Sequence, residues 1–279
     1  DLRDPMAQDN YPTDPKKKKI FNWLERKIVK HCANAIVTAP GAKVFYQQKF
    51  PDVADDFWQV IPNGYDETIF SQIDSETSDS TDTKVKPLVI LHSGVIYPSE
   101  RDPTQLFEAL SELKQEGIIN RQKIRLRLRA TGHDELFQKQ IEAANVDDII
   151  ELQPPIPYKQ ALAEMHAVDA LLLLQAANCN FQIPAKAYEY IRVQKPVLAL
   201  TPQEGDTGQL LSEAGVANIA SLDDKDQIKI ALTEFIQKLK QKSFQFESLD
   251  MLKRYSRQHH AITFEHLLQQ ATADEQEDA

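Results

Sequence analysis

Two charged side chains near the start of a predicted helix have the types and spacing best suited to chemistry. Lys186 and Glu189 follow Pro184, a residue that often stands at a helix start. Because the two are three positions apart, they lie on one face of the helix. A lysine beside a helix N-terminus suits a diphosphate, and a carboxylate one turn later can accept hydrogen bonds from two ribose hydroxyls. An ordinary surface ion pair is the alternative.

Two residues after an earlier apolar run could act on the same kind of ligand. Gly94 lies in the loop that follows residues 87–91, where a glycine lets the backbone approach a phosphate closely. Arg101 precedes a predicted helix and can bind phosphate through two N–H groups. A plain turn and a surface arginine are the alternatives. The loop is neither a dinucleotide-binding fingerprint nor a Walker A loop, which argues against nicotinamide enzymes and NTPases.

Two further loops place small and polar residues at predicted strand ends. Gly132 follows residues 124–130, and the loop after residues 197–200 contains Gly205, Asp206 and Thr207. A glycine turn and the N–H groups of a helix start could line the same crevice as the lysine and the arginine. The alternatives are a structural turn at Gly132 and a helix N-cap at Asp206 or Thr207.

Motifs for a metal centre or a catalytic nucleophile are missing from the sequence. The seven histidines are scattered, and the neighbouring pair His259 and His260 lacks the spacing of metal ligands. Neither GxSxG nor HExxH occurs. We therefore expect that the protein uses no metal and no cofactor.

The composition narrows the class of protein. The 279 residues suffice for one large or two small domains, and the net charge of -10 argues against a nucleic-acid partner. Cys32 and Cys179 form no disulfide framework, which favours a reducing, cytoplasmic location. Apolar runs such as residues 170–174 are too short to span a membrane, and no signal peptide is visible. Because the chain begins without Met, we expect that upstream residues are missing.

A tract of four lysines at residues 16–19 leads into a predicted helix. Ile20, Trp23 and Leu24 lie on one side of this helix. Such a tract is typical of a solvated helix start or of a patch that contacts a membrane surface. The sequence favours the solvated helix start and keeps peripheral membrane contact as the second interpretation.

Alternating strands and helices must position these residues. Six apolar runs alternate with amphipathic stretches, which predicts an α/β fold with one open parallel sheet and helices on both faces. Ligands of such sheets bind beyond the carboxyl ends of the strands, where the loops described above lie. The predicted strands are residues 87–91, 124–130, 149–152, 170–174, 197–200 and 217–220.

Composition also divides the chain into four segments. Residues 1–70 contain two helical patterns and two short apolar runs. Residues 71–86 are polar and predict a flexible linker. Residues 87–222 form the predicted sheet, and residues 223–279 form C-terminal helices with an acidic tail.

Five stretches, in this order, resemble the family 4 retaining glycosyltransferases of GT-B fold. The most informative is PAKAYEY at residues 184–190 with KPV at residues 195–197, which resembles the P-x-K-x-x-E-Y…P-V donor helix of the family. The others are DLRDP at residues 1–5, ANAIV at 33–37 after Glu25, IPNGYD at 61–66 with Phe70, and Gly94 with RDP at 101–103.

The resemblance implies two Rossmann-like domains that face a cleft. Residues 87–222 would be the donor domain, and residues 1–70 would be part of the acceptor-side domain. Glu189 sits where the second glutamate of the E-x7-E element binds the donor ribose. No divalent metal is implied. Two departures are Phe181, in place of the first glutamate, and Val95, where some members have an arginine.

The implied activity is transfer of a hexosyl unit from a nucleoside-diphosphate sugar, with retention, to a glycan, lipid-linked or small-molecule acceptor. Arg101 and Lys186 would be the catalytic residues, because they match positions that stabilise the departing diphosphate. A binding module without catalysis is one alternative, which Phe181 favours. A sugar-nucleotide epimerase is another, although its catalytic carboxylate and histidine are not identified. The donor nucleotide would contact Gly94, Gly132, Glu189, Gly205, Asp206 and Thr207.

Overall fold

The computed structural model describes residues 2–3, 5–8, 11–76 and 86–277 of the chain. Its first part is a small α/β unit in which two strands pair in parallel, with Ala35 opposite Trp58 and Val37 opposite Val60. Leu2 adds a parallel bridge to Val37. The elements of this first unit are α1 (Pro15–His31), β1 (Ala35–Val37), α2 (Pro40–Lys49), β2 (Trp58–Val60) and α3 (Glu67–Glu76).

The second part is built on a six-stranded sheet. Its strands are β3 (Leu88–Ser93), β4 (Ile124–Arg129), β5 (Ile150–Gln153), β6 (Ala170–Leu174), β7 (Val197–Leu200) and β8 (Ala217–Ala220). They pair in the order β5-β4-β3-β6-β7-β8, and every pair is parallel. This confirms the predicted fold class. The chain builds the sheet outward in both directions from β3 and β6, so the ligand crevice of such a fold is expected at these two strands.

Helices cover both faces of the sheet, and burial explains the composition of the strands. Every residue of β6, whose sequence is ALLLL, is buried, as expected for a parallel strand covered on both sides. The connecting helices are α4 (Thr104–Gln115), α5 (Asp134–Ala143), α6 (Tyr158–Ala167), α7 (Ala185–Val193) and α8 (Asp206–Glu213). In the described part of the chain, no helix has both the length and the hydropathy needed to cross a membrane.

The C-terminal helices pack in two different places. Helix α9 (Lys225–Gln241) contacts α4, β7 and β8, so it belongs to the layer that covers the sheet. Helices α10 (Leu249–Leu252) and α11 (Arg257–Glu277) follow it. There the hydroxyl of Tyr65 donates to the carbonyl of Leu252 at 2.9 Å, and the amide of Arg257 donates to the carbonyl of Tyr65 at 2.9 Å. The segment predicted as residues 223–279 therefore contacts both units.

Helix α3 changes the predicted linker boundary. The helix continues to Glu76, so residues 71–76 are helical rather than part of a flexible linker. The physical reason is burial, because Phe70 and Ile73 stand three positions apart and both lie in the core. Residues 77–85 of the predicted linker lie outside the described residues.

Candidate functional site

Gly94 and Lys186 meet at the carboxyl ends of β3 and β6. Gly94 directly follows β3 and has a φ of 112°, a conformation that favours glycine. A Cβ atom built on Gly94 would lie 3.0 Å from Nζ of Lys186, so the lysine reaches over the glycine backbone. Lys186 is the second residue of α7, whose N-terminus faces the same loop. The structure thus brings together two residues that the sequence predicted to share a site.

A buried histidine holds the lysine in this position. His92 is fully buried in β3, and its Nδ1 lies 3.0 Å from the carbonyl oxygen of Leu172. Because a carbonyl oxygen can only accept, Nδ1 carries the hydrogen and Nε2 presents its lone pair. Nε2 lies 3.2 Å from Nζ of Lys186, which donates to it. The sequence signal for this histidine is a polar residue inside the apolar run that ends at Gly94.

The electrostatic surroundings change the acidity of both side chains. Burial and the positive charge of Arg101 lower the pKa of Lys186 to about 7, while Glu189 acts in the opposite direction. Burial and the neighbouring lysine hold the pKa of His92 well below its usual value. The histidine is therefore neutral at pH 7. The lysine can gain or lose its proton near this pH, and a bound anion would favour the charged form.

Arg101 contacts the glycine loop. One of its guanidinium nitrogens donates to the carbonyl of Val95 at 3.0 Å, and the guanidinium stacks over the ring of Tyr97 at 5.3 Å from the centroid. Arg101 also lines a cavity of about 160 Å³ together with Gln182 and Asn63. This cavity adjoins the start of α7 at Pro184, and the charge of Arg101 lowers the pKa of Lys186.

Glu189 lies one turn further along α7. The hydroxyl of Tyr158, at the start of α6, donates to Oε1 of Glu189 at 2.6 Å. Burial and the neighbouring carboxylate raise the pKa of Tyr158, so its hydroxyl stays protonated as a donor. Among the described residues, the second oxygen of Glu189 has no hydrogen-bond partner in the structure. The carboxylate is thus fixed by one oxygen and can accept hydrogen bonds through the other.

Gly132 borders a larger cavity at the carboxyl end of β4. The cavity has a volume of about 850 Å³, which is in the range of small-molecule sites. Gly132 has a φ of 78°, and a Cβ atom there would lie 3.3 Å from Val95. Val95 lines this cavity and directly follows Gly94 in the chain. His133 and Lys139 also face it.

The three predicted residues of the α8 loop have other partners. The hydroxyl of Thr207 is buried and donates within the protein, with Oε1 of Gln175 and the carbonyl of Gln182 both at 2.9 Å. Asp206 accepts from the amide of Gly41 in the first unit at 2.7 Å. A Cβ atom on Gly205 would lie 2.8 Å from the amide oxygen of Asn180. These residues support the loop before α7 and do not join Gly94 and Lys186.

Two residues of the stretches that carry the family resemblance, Asn63 and Phe181, link the two units beside this site. The side-chain amide of Asn63, in the first unit, donates to the carbonyl of Ile183 at 3.1 Å. The ring of Phe181 packs against Phe45 of α2 with centroids 5.7 Å apart. An apolar contact between the units therefore occupies the position where the family resemblance placed a carboxylate. Among the described residues, no group of three or more His, Cys, Asp or Glu is placed to hold a metal ion.

Comparison with known proteins places the fold among glycosyltransferases. No protein-family model matches the chain, and no curated protein matches it by sequence. Among solved structures, the pneumococcal O-GlcNAc transferase GtfA, determined with UDP and GlcNAc, is 14% identical with a TM-score of 0.60, covering 90% of this chain and 48% of GtfA. Sucrose-phosphate synthase from Thermosynechococcus elongatus is 13% identical with a TM-score of 0.63. The match covers 96% of this chain and 64% of that enzyme.

Trehalose 6-phosphate synthase from Burkholderia multivorans is also similar in structure. It is 12% identical with a TM-score of 0.65, and the match covers 94% of this chain and 64% of that enzyme. The chain thus spans between about half and two thirds of the length of these neighbours. At these identities the likeness concerns the fold, and the six-stranded parallel sheet flanked by helices is of the GT-B type.

Proposed function

We propose that this chain contains the donor site of a retaining glycosyltransferase of family 4, which transfers a hexosyl unit from a nucleoside-diphosphate sugar. One observation carries the proposal. The ammonium group of Lys186 reaches over the Gly94 backbone at the carboxyl end of the central strand, and Arg101 donates to the carbonyl of Val95 in the same glycine loop. Two cations and a helix N-terminus gathered around a glycine turn are suited to a diphosphate.

Each residue of the site has a role in this proposal. The bond between the sugar and the diphosphate breaks, and negative charge grows on the leaving diphosphate. Lys186 and Arg101 stabilise that charge, and the low solvent exposure of the site strengthens the effect. Glu189 accepts hydrogen bonds from the ribose hydroxyls through the oxygen that Tyr158 leaves open. The cavity beside Gly132 receives the base.

The same arrangement of residues has consequences for the need for a metal, for the acceptor and for the cellular compartment. Because two side-chain cations already face the diphosphate, the proposed reaction requires no divalent metal. The acceptor is a glycan, a lipid-linked molecule or a small molecule, bound on the side of the first unit. Cys32 is exposed and Cys179 is buried, and both are free thiols, which supports a reducing, cytoplasmic location.

A nucleotide-sugar-binding module without catalysis is the second candidate function. The observation in its favour is the packing of Phe181 against Phe45. Phe181 stands where the family resemblance implies a carboxylate that contacts the donor sugar, and its ring is used for a contact between the two units instead. An epimerase is less well supported, because both ring nitrogens of His92 are already engaged, by Leu172 and Lys186. This histidine therefore presents no free nitrogen to a sugar.

The proposal is tested by calorimetric titration of UDP, GDP and dTDP in the presence of EDTA. We expect at least one of them to bind wild-type protein. Lys186→Ala and Arg101→Ala should each weaken the binding of the nucleoside diphosphate about tenfold or more. Each variant loses a hydrogen bond to a charged group, which contributes about 1.5–3 kcal/mol. The matched control is Lys240→Ala, which removes an exposed lysine on α9.

The outcomes separate the two candidate functions. If none of the three nucleotides binds, or if all variants bind as tightly as wild type, the assignment of the site is wrong. If a nucleotide binds at the site, incubation with the corresponding nucleoside-diphosphate sugar follows. Release of the nucleoside diphosphate supports the transferase. Tight binding of the nucleotide sugar without turnover, also in the presence of added acceptors, supports the binding module.

A further inference from the structure

The surface of α1 differs in charge from the rest of the chain. The whole chain has a net charge of -10. Helix α1 carries a single carboxylate, that of Glu25, and this carboxylate is fully buried. Its basic side chains are those of Lys16, Lys17, Lys18, Lys19, Arg26, Lys27 and Lys30. The helix is therefore a cationic element on an acidic protein.

Three apolar side chains of α1 lie at the surface, whereas Ile28 and Val29 pack against the core. Trp23 is 55% exposed and Ile20 is 54% exposed, and Leu24 also lies at the surface. At 100° per residue, the positions of Lys16, Trp23, Lys27 and Ile20 fall within an arc of about 60° on the helix surface. The centre of this arc is opposite Glu25. We call these four residues, together with Leu24, the outward face of α1.

Buried Glu25 fixes which side of the helix faces inward. Its carboxylate accepts hydrogen bonds from the amide of Ala7 at 3.2 Å and the hydroxyl of Tyr46 at 3.1 Å, and it pairs with Lys49 at 2.5 Å. Turning the helix to bury Trp23 would remove this carboxylate from its partners. Since breaking such a buried pair costs about 3–5 kcal/mol, the outward face stays exposed.

We propose that the outward face of α1 binds an anionic lipid surface. Tryptophan is favoured at the boundary between water and lipid, where its ring is apolar and its N–H can donate. Lysine side chains extend from the helix and place their charge at the level of the lipid headgroups. Lys27 already lies 5.7 Å from the centre of the Trp23 ring. A helix with apolar and cationic residues interleaved on one face matches this surface in charge and polarity.

The helix needs no folding step to bind. Its N-terminus is capped by the side chain of Asp14, which accepts from the amide of Lys16 at 2.8 Å, and its inner side is anchored through Glu25. A preformed helix avoids the ordering cost that a disordered peptide incurs at a membrane. Binding through this face does not involve Lys186 or Glu189, so the inference is independent of the proposed donor site.

Tryptophan fluorescence gives a direct test on the whole chain. The chain contains two tryptophans, and Trp58 is fully buried. Trp23 is therefore the fluorophore whose surroundings change when the outward face contacts lipid. With vesicles of phosphatidylcholine and phosphatidylglycerol, we expect a blue shift and reduced quenching by acrylamide. Vesicles of phosphatidylcholine alone should leave the spectrum unchanged.

Variants separate the contributions of charge and apolar contact in a vesicle flotation assay. Each lysine near an anionic surface contributes a factor of about five in the partition coefficient. Lys16→Gln combined with Lys27→Gln should therefore weaken binding about 25-fold. Ile20→Ser with Leu24→Ser should also weaken it. The matched control is Ile230→Ser with Lys240→Gln on α9, where Ile230 is 62% exposed. Circular dichroism verifies that every variant is folded.

Several results would overturn the proposal. One is the absence of binding to anionic vesicles. A second is equal binding of the α1 variants and wild type, and a third is an equal loss in the α9 control. Sedimentation velocity tests whether a second copy of this chain occupies the outward face of α1 instead. Self-association that the α1 substitutions abolish, with no lipid binding, would assign the face to a second copy of this chain.

Discussion

Nε2 of His92 lies 3.2 Å from the ammonium nitrogen of Lys186, at the point where the central strand ends. The partner of this lysine is thus a neutral imidazole rather than a carboxylate. Among the described residues no carboxylate forms a hydrogen bond with this lysine, and burial and Arg101 lower its pKa to about 7 although Glu189 acts in the opposite direction. A ligand that brings negative charge supplies the missing compensation, and this leads to the first prediction.

Diphosphate binding should depend on pH through Lys186. In the free protein its pKa is lowered to about 7, and a bound diphosphate raises it because an anion favours the ammonium form. Below the free pKa the lysine is charged in both states, so it contributes no pH dependence there. Above it, binding takes up a proton, and the affinity falls by up to about tenfold per pH unit. Calorimetry at pH 8 in buffers of different ionisation enthalpy measures this proton uptake.

The control for this prediction is Lys186→Arg. An arginine stays charged across the range, so this variant should bind without proton uptake. Equal proton uptake by wild type and by the arginine variant would show that another group titrates.

His92 should act as a positioning residue for Lys186. His92→Asn can keep a donor near the carbonyl of Leu172 but places no acceptor at the position of Nε2, whereas the longer His92→Gln can place one there. We expect His92→Asn to weaken diphosphate binding about tenfold, because one hydrogen bond to a charged group is lost. Nucleoside binding should not change, since the lysine contacts phosphate alone.

Calorimetry with nucleoside and diphosphate on both variants checks this prediction. The glutamine variant should regain part of the lost affinity. If His92→Asn weakens the binding of nucleoside and of nucleoside diphosphate equally, the histidine supports the fold as a whole and does not position the lysine.

The fold could be predicted from the sequence because its signals are local. A run such as ALLLL in β6 predicts a buried parallel strand, and the amphipathic spacing in α4 predicts a covering helix. The approach of Lys186 to Gly94 was also predictable. Each follows a strand end, and parallel strands bring their carboxyl ends to one edge of the sheet.

Residue pairing across the chain could not be predicted in the same way. The hydroxyl of Thr207 donates to Gln175, 32 positions away, and Asp206 pairs with the amide of Gly41, 165 positions away. A capping residue and a ligand-binding residue have the same local pattern, so spacing does not distinguish them. The orientation of α1 was hidden for a similar reason. Ile20, Trp23 and Leu24 share one side of the helix in the sequence pattern, but the partners of Glu25 determine which side is buried.

The hydroxyl of Tyr158 should position Glu189 for ribose. Tyr158→Phe removes the hydrogen bond of 2.6 Å and leaves the ring in place. We expect the affinity for UDP to fall about two- to tenfold, as for the loss of one hydrogen bond of about 0.5–1.5 kcal/mol. Glu189→Ala should have a larger effect, about tenfold or more, because it removes the proposed ribose acceptor itself.

Paired ribose and deoxyribose ligands provide the control. UDP and 2′-deoxy-UDP differ in one hydroxyl, and wild type should prefer UDP. This preference should shrink in both variants. An unchanged preference in Glu189→Ala would show that the carboxylate does not contact the ribose.

Arg192 should stabilise the attachment of α3 to the site helix α7. It is almost fully buried, and its guanidinium donates to both carboxylate oxygens of Glu67, at 2.8 and 2.7 Å, and to Asp74 at 2.7 Å. Arg192→Met keeps much of the side-chain volume and removes all three bonds. Both carboxylates are partly exposed and can be hydrated, so we expect a loss of about 2–3 kcal/mol in the free energy of unfolding, less than for a fully buried pair. Urea denaturation measures this loss.

The dependence of this effect on pH identifies its origin. The hydrogen bonds from Arg192 hold the pKa of Glu67 below its usual value. A carboxylate with a lowered pKa contributes stability above its unfolded pKa, and this stability is lost as the pH falls through the folded pKa. The difference between wild type and Arg192→Met should therefore be constant near neutral pH and shrink below about pH 4. Arg121→Met, at an exposed position, should change stability by less than about 0.5 kcal/mol. If Arg192→Met lowers the free energy of unfolding no more than this control does, the hydrogen bonds to Glu67 and Asp74 do not hold α3 in place. The same conclusion follows if the loss is unchanged at low pH.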